Sequence, residues 1–179
     1  MNIWHDIEES RISPREFIAV VEISKGGKQK YEMDKTTGLL MLDRILYTST
    51  HYPANYGFIP RTLADDGDPL DVLILCSEEL LPMSLVKCYP IGVILMNDNG
   101  SVDEKIIAIP FSDPTYSNFK SIRDLPNHIF EEMRHFFTVY KQLENKETAV
   151  DSAMDADEAV RIISACIQNY RAHRKELVK

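Results

Sequence analysis

The stretch ADDGDPLDVLIL, Ala64 to Leu75, puts four carboxylates into seven positions and then runs into unbroken apolar sequence. Val72 to Leu75, bounded by turn residues, reads as a buried strand. Asp71 is the last polar residue before it and belongs at the strand end, aimed back at the turn. Gly67 lets the backbone bend tightly between Asp66 and Asp68. Pro69 fixes φ just ahead of the strand. Two unit charges about 4 Å apart repel by roughly 4 kcal/mol at an effective dielectric of 20. Solvent, protons or cations have to relieve that repulsion.

Around this centre, short apolar segments alternate with turns. Phe17–Ile23, Gln29–Asp34, Leu39–Asp43, Leu85–Met96 with a break at Pro90, and Lys105–Ile109 read as strands, with turns at Gly26-Gly27 and Thr37-Gly38. Strands this short, joined by turns, favour a closed or strongly curved antiparallel sheet. The last third changes character. Ile129, Met133, Phe136, Phe137, Tyr140 and Leu143 recur at helical spacing after start signals at Asp124 and Pro126. A second helix starts from Asp155 as N-cap, with Glu158 three residues on. The expectation is a small β-barrel with two main helices packed outside it, residues 1–179 forming a single domain.

The chain has 179 residues and a formal net charge of −8. That sign argues against nucleic-acid binding through phosphate neutralisation. It leaves small anions open, because bound dications reverse the sign of an acidic pocket. No apolar run reaches the ~18 residues of a membrane span. MNIWHDIEES is too polar and acidic for a secretory leader. Cys76, Cys88 and Cys166 form no CxxC and read as reduced core residues of a cytoplasmic protein.

The acidic turn fails the calcium loop pattern, since position 5 counted from Asp66 is Leu70 and position 6 is Asp71. Scattered histidines and the lack of HExxH disfavour zinc. Oxygen-only ligands point to magnesium or manganese shared with substrate phosphates. Asp98 and Asp103 flank the turn Asn99-Gly100 and add acids from one hairpin end. Glu22 is the only charge in FIAVVEIS, and buried carboxylates are rare unless paired or metal-bound. Lys30 and Glu32 share a strand face. With Arg44, Tyr52, Tyr56, Lys105, Tyr140 and Lys141, Lys30 supplies donors for phosphate oxygens.

The order VEISKGGKQKYEMD, LDR, HYPANYGFIP, DDGDPLDVL, GVILMND, DEKIIAIP and HFFTVYK resembles the soluble family I inorganic pyrophosphatases in their short bacterial form. The resemblance implies a five-stranded OB-like barrel with flanking helices and a homohexamer. It implies that Asp66, Asp71 and Asp103 hold the first two magnesium ions, with Asp71 bridging. Asp98 and Asp103 help bind the ions that arrive with pyrophosphate, Glu22 and Glu32 acting through water, for about three to four ions in all. Asp68 is then the general base for direct attack by a metal-activated water. Lys30, Arg44, Tyr56, Tyr140 and Lys141 grip the phosphates, and Tyr52 and Lys105 complete the hydrogen bonds. Asn99 stands where the family often has a second acid, while Asp65 and Glu104 are extra acids expected to face solvent. The rivals are an OB-fold binder of single strands, disfavoured because the aromatics sit among acids, and an inactive metal-binding scaffold.

Overall fold

The computed structural model describes residues 2–98 and 100–178. The fold is mainly β with two principal helices. Its strands are β1 (Phe17–Ile23), β2 (Gln29–Met33), β3 (Leu40–Ile45), β4 (Asn55–Phe58), β5 (Asp71–Ile74), β6 (Leu85–Asp98), β7 (Ser101–Pro110) and β8 (Thr148–Asp155). The helices are α1 (Asn127–Val139) and α2 (Ala156–Leu177). Pairings run β1–β4–β5–β7–β6 and return from β6 to β1, so five strands form a ring, with β8 added on β6. β2 and β3 make a separate two-stranded sheet.

One pairing departs from the antiparallel expectation. β5 and β7 are parallel, with Asp71 opposite Lys105 and Val72 opposite Ile106. Parallel neighbours need a long crossover and are covered on both faces. Here β6 lies between them in the chain. Val72 and Ile74 pack into one cluster with Ile162, Ile163 and Cys166 of α2. Leu73 and Leu75 pack into another with Met133, Phe136 and Phe137 of α1. That double burial is why β5 carries no polar alternation. The three cysteines are free and buried.

Pro90 does not end β6. It falls at a register shift between Pro90 and Gly92, beyond the segment Leu85–Cys88 that pairs with β1 and before the segment paired with β8. A proline is tolerated at such an irregularity, where no ladder donor is needed. β4 is only four residues and contains a glycine, so periodicity gives no signal for it. β8 lies at the edge of the sheet and mixes apolar with polar residues, none of them fully buried. Pro126 stands at the N-cap position of the first helix without a side-chain cap bond, whereas Asp124 closes a capping box with Ser121 around the short 3-10 turn Ile122–Asp124. Leu143 lies beyond α1 in a second 3-10 turn and is 65 % exposed, so it is no part of the helix's apolar face. Asp155 caps α2 by accepting from the Ala156 amide at 2.9 Å. Glu158 makes no capping box and pairs with Arg161 instead.

β1 carries the irregularity that matters most. Val21 faces Gly57 and Ile23 faces Tyr56, leaving Glu22 as the extra residue of a β-bulge. Bulges re-aim a side chain, and here the Glu22 carboxylate meets the Met33 amide of β2 at 2.8 Å. The bulge needs a glycine opposite it. A Cβ on residue 57 would lie 1.8 Å from the Val20 carbonyl oxygen and 3.1 Å from the Glu22 nitrogen. Gly57→Ala is therefore expected to force β1 and β4 apart and lower stability by about 3 kcal/mol or more, the upper end for overpacking. Urea unfolding measures it, and a wild-type midpoint would show that the bulge tolerates a side chain.

Candidate active site

The acidic turn is built by its own backbone. Gly67 sits at φ +85°, where only glycine is unstrained. The Ala64 amide donates to the Asp68 carbonyl at 2.8 Å, and the Asp68 amide donates to Asp66 Oδ1 at 2.9 Å. Thr62 locks the base of this loop. Its buried hydroxyl donates to the Ile59 carbonyl at 2.6 Å and accepts from the Leu70 amide at 2.8 Å. Nothing in the sequence singles out Thr62, because its partners are main-chain groups.

Asp71 opens β5 beside Lys105 of β7, and that register assembles the centre of the site. Lys105 Nζ lies 2.8 Å from Asp71 Oδ2, 3.1 Å from Asp103 Oδ2 and 3.0 Å from the Tyr56 hydroxyl, which donates to Asp71 at 2.5 Å. The ammonium also stands over the rings of Tyr56 and Phe137. Burial alone would depress the Lys105 pKa. Asp71, then Tyr56 and Asp103, more than offset it and hold it well above the usual range. Tyr52 and Tyr56 are pushed up by burial, so both phenols stay protonated.

A cavity of about 280 Å³ opens over this centre. Glu22, Glu32, Asp66, Asp68, Asp71, Asp98 and Asp103 line it, facing Lys30, Lys35, Lys105 and Lys141. Twelve of the fourteen expected residues therefore meet at one place, with Tyr56 and Tyr140 completing the wall. The carboxylates are under strain. Burial raises Asp66 and Asp103, and neighbouring carboxylates raise them further. Glu22 is pushed up to about 8 by burial and then by Asp71, against the bond from the Met33 amide. Among the described residues no three acids, histidines or cysteines already form a closed metal cage. Every anionic ligand in the cavity is a carboxylate oxygen, and seven acids oppose four lysines, so the donor set fits hard dications.

Two expected residues stand behind the wall. Tyr52 is buried, its ring 5.3 Å from that of Tyr56 and 4.7 Å from that of Phe136. Arg44 is held by Asp43 at 2.5 Å and Glu144 at 2.8 Å, and its Nη2 is buried without a hydrogen-bond partner. Lys141 pairs with Asp98, and Lys30 with Glu32 and Asp43. Lys35, from the β2–β3 turn, pairs with Asp68 across the cavity. Sequence reading passed over Lys35, Asp43 and Glu144. Of these, only Asp43 has a visible signal, adjacency to Arg44. Asp65 is exposed as expected, but Glu104 is half-buried, its pKa raised by burial and then by Asp65. Asn99 lies outside the described residues. A larger groove of about 720 Å³, between Ser13–Arg15 and α2, holds none of the candidate residues.

The inorganic pyrophosphatase family model matches residues 19–171, which takes in the whole acidic cavity. The chain belongs to the inorganic pyrophosphatase family. A soluble inorganic pyrophosphatase of Oryza sativa subsp. japonica is 47% identical over 170 residues, 95% of this chain and 79% of that protein. Soluble inorganic pyrophosphatase 2 of Chlamydomonas reinhardtii is 46% identical, covering 95% of this chain and 88% of that one. Among solved structures, the inorganic pyrophosphatase of Thermus thermophilus superposes with a TM-score of 0.91 at 36% identity, over 96% of this chain and 99% of that one. That of Helicobacter pylori gives 0.88 at 42%, over 93% and 99%. In length this pyrophosphatase-family chain matches the bacterial structures.

Lys105 is the keystone of the site's ion pairs. Breaking a buried ion pair from one side costs about 3–5 kcal/mol. Asp71 keeps 28% of its side chain exposed, which discounts the figure. Lys105→Met is expected to lower unfolding stability by about 2–4 kcal/mol in chelator-treated buffer. An unchanged urea midpoint would mean that solvent already screens the two carboxylates.

Proposed function

We propose that this chain is a metal-dependent inorganic diphosphatase that hydrolyses pyrophosphate, released by biosynthetic reactions, to two phosphates. Family membership supports the reaction. The observation that carries the rest is the single cavity in which seven carboxylates face four lysines and three phenols. Acids for dications opposite bases for phosphates are what phosphoryl transfer to water requires.

In this reading Asp66, Asp71 and Asp103 hold magnesium, Asp98, Glu22 and Glu32 hold further ions directly or through water, and about three to four ions take part, with Mn²⁺ able to substitute. When bound, such ions lower the pKa of a water from 15.7 towards about 7 and neutralise phosphate charge. Asp68 takes the proton of the attacking water. It suits the task because the turn fixes its backbone through the Ala64 and Asp66 hydrogen bonds while its side chain stays half-exposed on the cavity. Lys30, Lys141, Tyr56 and Tyr140 bind and orient the phosphates from the opposite wall. Arg44 supplies the guanidinium that meets charge growing on the departing phosphate. Tyr52 keeps the Tyr56 ring in place, and Lys105 sets the direction of Asp71 and Asp103. The same reading takes the five-strand ring as an OB-like closed barrel, residues 1–179 as a single domain, the assembly as a homohexamer and the compartment as the cytoplasm. The three unpaired cysteines support that compartment.

Asp68→Asn is expected to leave the melting temperature unchanged while phosphate release at saturating magnesium falls by roughly 10²–10⁴, the usual worth of a general base. A rate within about tenfold of wild type would remove Asp68 from the role. Chelating divalent ions is expected to abolish turnover. Magnesium at a hundred times its dissociation constant is expected to restore it and add about 2.7 kcal/mol of stability per site. Undiminished release in excess chelator would overturn the metal requirement.

A further inference from the structure

A second cavity, of about 260 Å³, lies between the 3-10 turn Glu9–Arg11 and the C-terminal half of α2. It shares no lining residue with the acidic cavity. Arg61, Arg171, Arg174 and Tyr170 line it, with Glu9 as its one acid. In a chain of 28 acids and 20 bases, three guanidiniums around one carboxylate reverse the overall balance.

Glu9 is already taken by Arg171, at 2.7 Å. Among the described residues Arg61 and Arg174 have no ion-pair partner. Arg61 is also one of three non-glycine residues with positive φ, at 57°. Its amide donates to the Trp4 carbonyl at 3.0 Å and its Nε to the Ile7 carbonyl. A left-handed backbone costs on the order of 1 kcal/mol for such a residue, and these two bonds hold the side chain against the cavity. Among the described residues its Nη groups make no hydrogen bond. The Tyr170 hydroxyl is held by His5 Nδ1 at 2.9 Å and by the Arg174 side chain. Complementing the helix dipole explains arginines in the last turns of α2. It does not explain Arg61, which comes from the segment after β4 and meets them at the cavity.

We propose that this pocket binds a small phosphate-class oxyanion, gripped by the guanidinium forks of Arg61 and Arg174, with Arg171 at its rim. Guanidinium forks match tetrahedral oxyanions two oxygens at a time. The volume falls below the ~300–1,000 Å³ typical of drug-sized ligands. Three cationic groups suit a dianion better than a single carboxylate. The site is independent of the reaction assigned to the acidic cavity.

Calorimetric titration of the full chain in metal-free buffer, with orthophosphate in one arm and glycerol 2-phosphate in the other, tests it. Arg174→Gln is expected to weaken binding by at least about tenfold, the loss of one bidentate charged contact. Arg174→Lys should recover part of that loss, and the component of binding that depends on Arg174 should persist in Lys141→Gln. Tighter binding of orthophosphate assigns the pocket to inorganic phosphate, and tighter binding of the ester to an organic one. Arg174 is exposed near the end of its helix, so this variant keeps the fold even if Arg61→Gln does not. An isotherm unchanged by Arg174→Gln, one lost with Lys141→Gln, or no binding of either anion would overturn the assignment.

Discussion

The parallel pairing of β5 with β7 sets Asp71 beside Lys105, and nearly everything at the acidic cavity follows from that register. Side chains alternate along a strand, so a slip of one residue would turn Lys105 into the opposite core. The slip is resisted from both sides. Leu73 and Ile107 belong to the cluster under α1, and Val72 and Ile106 to the one with α2. A register that buries apolar side chains on two faces cannot move without exposing both sets. Each such residue stabilises the fold by about 1.5–3 kcal/mol when fully buried. The polar centre is held by the cores around it.

That leverage explains how so much negative charge stays together. The bulge at Glu22, the Asp66–Asp68 turn and the start of β5 each deliver a carboxylate from a different backbone device. Lys105 neutralises part of the sum, and burial shifts Glu22, Asp66 and Asp103 towards their protonated forms. Both effects treat the same excess. The arrangement is stable as a fold and unsatisfied as an electrostatic object, which is the condition under which dications bind.

Much of this is legible in the residues. DDGDPLDV followed by an apolar run carries the turn, the strand and the direction of Asp71, because charge, glycine and hydrophobicity each leave a local trace. Twelve expected site residues line one cavity for the same reason. Other features have no local trace. β4 is four residues with a glycine, Thr62 bonds only to main chain, and Lys35 reaches Asp68 through a turn whose direction depends on the hairpin packing. The parallel sense of β5 and β7 depends on where β6 goes, which no local pattern records, whereas the break at Pro90 is a shift of register inside one strand. Arg44 behind the wall and Glu104 half-buried are outcomes of packing that a spacing rule cannot reach.

The β2–β3 pair shares no strand pairing with the larger sheet, yet it brings Lys30, Glu32 and Lys35 to the cavity and places Arg44 behind its wall. Asp71, Asp103 and Lys105 ride on the ring, and these other groups ride on an outlying flap joined to it by contacts such as the Glu22–Met33 bond. The two half-sites are thus mechanically separable. Side-chain packing holds the flap there, with Met33 buried beside Val20 and Phe58, and the width of the cleft follows from that packing.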